Sequence, residues 1–365
     1  MFTIKTSLVL GISTLVLGRE IYVSPTGSGD GSATSPYGSI QSAVNAAAAG
    51  DTIYLRAGTY SPSANIQVAK SGTRTSPISV KPYQSEKVII NGENMPGTPY
   101  GVGESLPNKE RGIFHIQNAN YWAFYNLELI NGPYGIYARD ASHNYYEGLS
   151  THDNYETGFQ LEGASANNTV LNLDSYRNRD PRKNGESADG FACKDGTGEG
   201  NVLRNARLWD NVDDGLDLYM FGSPVTLEEL GITGNPAANH IVRNSIAFSN
   251  FKKGFIDNGN PGSITFERNT AWNNGDTGYV MRSSSSTMKA NIAAVNTNSQ
   301  VSLISSVSSS GNSWDSSTTW SNSSFKSVDA GTLKGSRGSN GKVQGSNFLI
   351  PTSGAAIGAT TLQEV

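Results

Sequence analysis

The stretch Ser187–Tyr219, SADGFACKDGTGEGNVLRNARLWDNVDDGLDLY, settles the architecture. It contains one phrase twice: Asp189-Gly190-Phe191, and then Asp214-Gly215-Leu216. On either side of it, glycine followed by a large apolar residue recurs at Gly135-Ile136, Gly158-Phe159, Gly254-Phe255 and Gly278-Tyr279. Polar phrases ending in asparagine recur with it, at Asn154, Asn178, Asn211, Asn250 and Asn274. Successive glycine spacings are 23, 32, 25, 39 and 24 residues. Three of these fit one turn of a three-strand solenoid, in which each repeat buries its apolar face against the next. Alternate residues would point into a narrow core, and asparagines at repeated turns can adopt left-handed conformations or stack as a ladder. The reading is all-β, a right-handed parallel β-helix of one chain. Propellers and sandwiches lack this rhythm.

The flanks agree with that reading. A strand at Ile21–Ser24, a short helix with Ile40, Val44 and Ala47 on one face, and a strand at Thr52–Leu55 form an N-terminal cap, about residues 19–60. Such a cap covers the exposed edge of the first coil. The Ser- and Thr-rich end, about 283–365, reads as an irregular closing segment of the same domain, 19–365, with a few strands that close the last coil. Residues 1–18 read as a secretory signal peptide, with Lys5 before an apolar run too short to span a bilayer, Ser7–Leu17. The expectation is a secreted, extracellular monomer. Its single cysteine, Cys193, permits no intrachain disulfide, so stability must come from a regular core. Asn167 and Asn322 lie in glycosylation sequons. The net charge of −4 and the lack of basic runs give no electrostatic case for nucleic acid. No second apolar run suggests a membrane helix.

Within the repeat, Asp189 and Asp214 share a column on successive coils, with Asp213 one step earlier. Leu216 and Leu218 alternate inward, so Asp217 faces outward. Carboxylates this close repel unless they are protonated or bridged by a cation. An all-oxygen set of this kind suits Ca²⁺.

The ADGF phrase followed by DDGLD resembles the core of polysaccharide lyase family 9, the secreted pectate lyases. The resemblance covers about residues 20–282. It implies that Asp189, Asp213, Asp214 and Asp217 hold a catalytic Ca²⁺, with polygalacturonate or a related pectic polysaccharide as substrate. It also implies β-elimination by a neutral lysine base. The family carries that lysine in a Gly-Phe-Lys type phrase one coil on, in the Asp217 column, and this sequence has no such phrase. The 39-residue spacing from Gly215 to Gly254 is too long for one coil and too short for two. It points to an internal deletion near Glu228–Gly231, either a real loss or a skipped exon.

Substitute bases are weakly indicated. Lys194 would lie near the ion, as a base or as an ion-pair or substrate contact. Lys253 would stack on Asp214 if the helix closes over the deletion, and Lys252 would follow Asp213. His115, His143, His152 and His240 share no column or metal spacing. Two alternatives stay open. One is a non-catalytic descendant that binds Ca²⁺ and polyuronate. The other is a β-helix hydrolase of polygalacturonase type, for which Asp213-Asp214 imitates the acid pair but the expected Gly-His-Gly phrase is missing.

Overall fold

The computed structural model describes residues 18–223, 225–228, 241–257, 263–282, 286–335 and 346–359. Within them the chain winds as a parallel β-helix with three faces. One face is a continuous sheet of 12 strands, from Glu20–Val23 to Ser308–Ser310. A second has 9 strands. The third is split into sheets of 6 and 3 strands.

The repeat phrases explain the corners. Gly190 must be glycine: a Cβ there would lie 2.6 Å from the Gly215 carbonyl oxygen of the next coil. The turn asparagines are buried and stack along the axis. Asn154 donates to Asn178 Oδ1 at 3.0 Å, and Asn178 donates to Asn211 Oδ1 at 2.9 Å. The residue before each ladder asparagine takes the left-handed conformation, as at Asp153, Arg177 and Asp210 (φ 51–56°). Asp210 is therefore a turn residue. Inside, stacked rings fill the core, such as Phe159 on Phe191 with centroids 5.4 Å apart. Cys193 is buried there.

From Thr52–Leu55, which pairs with the first strand Glu20–Val23, the described chain visits the three faces in rotation with one exception. Val225–Glu228 and Ile241–Arg243 are consecutive strands, yet they pair directly in the first sheet. Among the described residues, the strands that should lie between them on the other two faces have no counterpart. Leu216–Asp217 accordingly ends the 6-stranded sheet, and Phe255–Ile256 begins the 3-stranded one. On the second face a single residue pair, Trp209 with Phe248, joins the two halves.

Three further observations mark the same seam. Gly215 has nothing closer than 3.6 Å to a built Cβ, so it keeps a glycine that no adjoining coil requires. Asn250 Oδ1 is buried and receives no hydrogen bond among the described residues, since no preceding asparagine reaches it. A crevice lined by Leu208, Leu216, Ile246, Ala247 and Phe255 lies between the halves. Among the described residues, the 39-residue spacing thus corresponds to a coil represented by one of its three strands. Residues 229–231, where the sequence places most of the deletion, and His240 lie outside the described residues.

Within the closing segment, strands continue to Ser310. The later segment then folds back over the outer surface of the second face. Phe325, Phe348 and Leu349 pack there on Trp209, Phe248 and Trp272. Arg207, before the seam, donates to the Leu333 and Gly335 carbonyls, and Trp272, after it, donates to Asn322 Oδ1 at 3.0 Å. The segment straps the seam rather than simply closing the last coil.

Candidate functional site

The acidic cluster sits where the third face stops. Phe191 pairs with Leu216 and Ala192 with Asp217, which sets Asp189 beside Asp214. Gly190 N donates to the Asp214 carbonyl at 3.0 Å. Asp189, Asp213 and Asp214 each bring a carboxylate oxygen to within 4.8 Å of the others.

Asp189 is fully buried, and its Oδ1 has no hydrogen-bond partner among the described residues. Burial, with the neighbouring carboxylates, pushes the Asp189 carboxyl up to about 7 and Asp214 well above the usual range. Asp213 is raised as well, by burial, against the pull of Lys252 and Lys194. An unpartnered buried carboxylate oxygen within an all-oxygen donor set fits a hard divalent cation such as Ca²⁺.

Asp217, the fourth expected ligand, stands slightly apart. Its Oδ2 accepts from Lys194 Nζ at 2.7 Å and its Oδ1 from the Tyr219 amide at 2.8 Å. Lys194 also donates to Asp189 Oδ2 at 2.7 Å, so its ammonium ties Asp189 to Asp217. Burial alone would lower the Lys194 pKa, but Asp189 and Asp217 override it and hold the group protonated. An ammonium held in that way has no lone pair with which to accept a proton.

Lys253 does not stack on Asp214. Its ammonium pairs with Asp276 at 2.9 Å and holds that carboxyl low. It faces the coil after it because the shortened coil turns it away from the acidic column. Lys252 does reach the cluster, 3.3 Å from Asp213 Oδ1. Ile256 follows Phe255 as Asp217 follows Leu216, so the next strand of this face carries an apolar side chain in the Asp217 column. Three of the histidines serve packing: His115 stacks on Tyr137, His143 on Tyr121 and His152 on Tyr176.

Sequence reasoning missed the groups on the N-terminal side. Thr157 lies in the column of Asp189 and Asp214, one coil earlier, and its hydroxyl is 3.1 Å from Asp189 Oδ2. Glu162, paired in register with Lys194, accepts from Arg139 at 2.8 Å and from Gln160 at 2.8 Å. Arg111 lies against it at 3.4 Å. Lys183 stands exposed on the loop at 179–188, whose Arg182 is buried against Glu156. Burial, then Arg182, Arg111 and Lys194, lower the Lys183 pKa against Asp180. The 32-residue spacing from Gly158 to Gly190 was the one signal for that inserted loop.

Comparison with known proteins matches residues 21–231 to the family described as "Pel9A-like, right handed beta helix region". Pectate lyase PEL9 of Emericella nidulans is 51% identical, over 95% of this chain and 95% of that protein. The alignment runs over 391 positions, more than the 365 residues here, so the relative has residues with no counterpart in this chain. Pectate lyase L of Dickeya chrysanthemi is 30% identical over 98% of this chain and 89% of its own length. Among solved structures, that of pectate lyase Pel9A superposes with a TM-score of 0.74 at 28% identity, covering 95% of this chain and 91% of that one.

Proposed function

We propose, since this chain belongs to the Pel9A-like right-handed β-helix family of pectate lyases, that it acts with Ca²⁺ on a polygalacturonate-type uronide by β-elimination. We further propose that its turnover is reduced. The observation that carries the calcium reading is the buried column of Asp189, Asp213 and Asp214, with Asp189 Oδ1 unpartnered. Asp217 would complete the set.

In the elimination, the C5–H bond breaks, its proton passes to water where no side chain is placed to take it, its electron pair becomes the C4=C5 double bond, and the C4–O4 bond breaks. O4 departs with the leaving chain and takes a proton. When bound, Ca²⁺ would neutralise the negative charge that develops on the uronate carboxylate as the C5 proton leaves. Asp189, Asp213, Asp214 and Asp217 would hold it, and Lys194 would keep two of these carboxylates in place. Arg111 and Lys183, on the N-terminal side, offer cationic groups to further uronate carboxylates.

The proton acceptor is where this chain departs from its family. The strand of the third face expected to carry the family's base lysine has no counterpart among the described residues, and the ammonium groups of Lys194, Lys252 and Lys253 each pair with a carboxylate. General bases contribute about 10²- to 10⁴-fold. Turnover should fall short of that of an intact relative by a factor in this range. The apolar run at Ser7–Leu17 supports a secreted protein.

The test is to incubate the purified chain with polygalacturonate, with and without Ca²⁺, and to record both unsaturated ends and reducing ends. Slow appearance of both, only with Ca²⁺, is the expected result. Reducing ends without unsaturation would indicate hydrolysis and overturn the lyase reading. Calcium-dependent binding with no product at all would make the chain a polyuronate-binding descendant.

A further inference from the structure

Lys194 raises a problem that its ion pairs alone do not solve. An ammonium 2.7 Å from Asp189 Oδ2 and 2.7 Å from Asp217 Oδ2 sits against a set of carboxylates suited to a divalent cation. On charge alone it repels any cation that enters, by Coulomb's law. Its side chain is 13% exposed, so it is not a loosely placed surface group. It must therefore contribute something other than favourable charge.

The carboxylate geometry identifies that contribution. Asp189 uses Oδ2 for its contacts with the Lys194 ammonium and the Thr157 hydroxyl, and leaves Oδ1, at full burial, without a partner among the described residues. Asp217 is fixed from two sides, by Lys194 on Oδ2 and by the Tyr219 amide on Oδ1. A carboxylate is planar, so pinning one oxygen sets the direction of the other. The single proton of the Thr157 hydroxyl is shared between Asp189 Oδ2 and the Ser187 carbonyl, 2.9 Å away in the loop that leads into Asp189, so its hold on Asp189 is weaker than that of Lys194.

We propose that Lys194 and Thr157 are positioning residues for the divalent cation: they hold Oδ2 of Asp189, and Lys194 locks Asp217 to it, so that the donor set is formed before the ion arrives. This rests on the calcium reading above. Groups that orient ligands in this way are worth about 10- to 100-fold in metal affinity.

The experiment is a calorimetric titration of the full chain with Ca²⁺ alone, with no polysaccharide present. Lys194→Met keeps most of the side-chain volume and removes the charge. Charge alone predicts tighter Ca²⁺ binding by this variant, and positioning predicts binding weakened about tenfold or more. Lys194→Arg should recover part of the loss. Thr157→Val should weaken binding less, and Thr157→Ser should restore it. Melting curves in chelator establish that each variant is folded. If Lys194→Met does not fold, the two Thr157 variants carry the test. Binding by Lys194→Met that is as tight as the parent's, or tighter, overturns the proposal while leaving the calcium reading intact. A parent chain that binds no Ca²⁺ overturns both.

Discussion

Lys252 stands 3.3 Å from Asp213, although 39 residues and the seam of the shortened coil separate them. In an uninterrupted solenoid a whole coil would lie between their columns. Among the described residues no strand of the second or third face intervenes, and the two side chains meet directly across the seam. The ion pair places a half-exposed ammonium on a carboxylate that the cation would need.

Lys252 differs from Lys194 in making only this one contact with the cluster, and it holds no second ligand in place. Lys252→Gln is therefore expected to tighten Ca²⁺ binding about two- to fivefold, on the order of the worth of an exposed ion pair. Calorimetry on the full chain measures it. Weakened binding would mean that Lys252 is part of the site's scaffold.

Restoring the missing strands should repair both stability and chemistry. Asn250 Oδ1 is buried without a donor among the described residues, a defect that costs about 1–3 kcal/mol. Grafting the corresponding coil of the Emericella nidulans relative at the seam should raise the melting temperature by several degrees. It should also raise the yield of unsaturated product about 10²-fold or more by supplying a lysine one coil beyond Asp217. A graft that folds but forms product no faster argues against a missing base. Sequencing the transcript across this region separates a true loss from a skipped exon.

Lys183 is an exposed cation of the inserted loop, and its ammonium has no ion-pair partner among the described residues. Lys183→Gln should weaken binding of oligogalacturonate about five- to tenfold, the range for a charge-assisted hydrogen bond. Ca²⁺ affinity and binding of fully methyl-esterified oligomers should not change. Equal losses for charged and esterified ligands would rule out a carboxylate contact.

The pH dependence of the calcium-free chain follows from the acidic column. Asp189 and Asp214 titrate higher folded than unfolded, so the folded chain binds more protons. Their contribution is fully present below the ordinary carboxylate pKa and is lost as pH rises through the raised values, about 7 for Asp189. In chelator, the melting temperature should fall from about pH 5 to about pH 8, and added Ca²⁺ should restore more at the upper end. A chelated chain that grows more stable across that window contradicts the assignment.

The C-terminal strap should contribute to global stability. Phe348 is fully buried, 5.2 Å from the Phe248 ring and 5.6 Å from the Trp272 ring. Phe348→Ala should cost about 3–5 kcal/mol in denaturant unfolding. A loss under about 1 kcal/mol would mean that the segment is dispensable to the fold.

The solenoid was legible in the residue order alone. A turn repeated every coil must repeat its residues, and Gly190, Asn154, Asn178 and Asn211 each answer a local steric or hydrogen-bonding demand. The same periodicity placed Asp189 over Asp214 and exposed the irregular spacing before Gly254. It could not say how the chain closes over that irregularity, because closure depends on which strands find partners across the gap. It took the folded chain to pair Val225–Glu228 with Ile241–Arg243, to turn Lys253 to Asp276 while Lys252 reaches Asp213, and to lay the C-terminal segment across the seam. The roles of Lys194 and Thr157 belong there too. Contacts between coils follow from side-chain reach and burial, and neither is written in the spacing of a repeat.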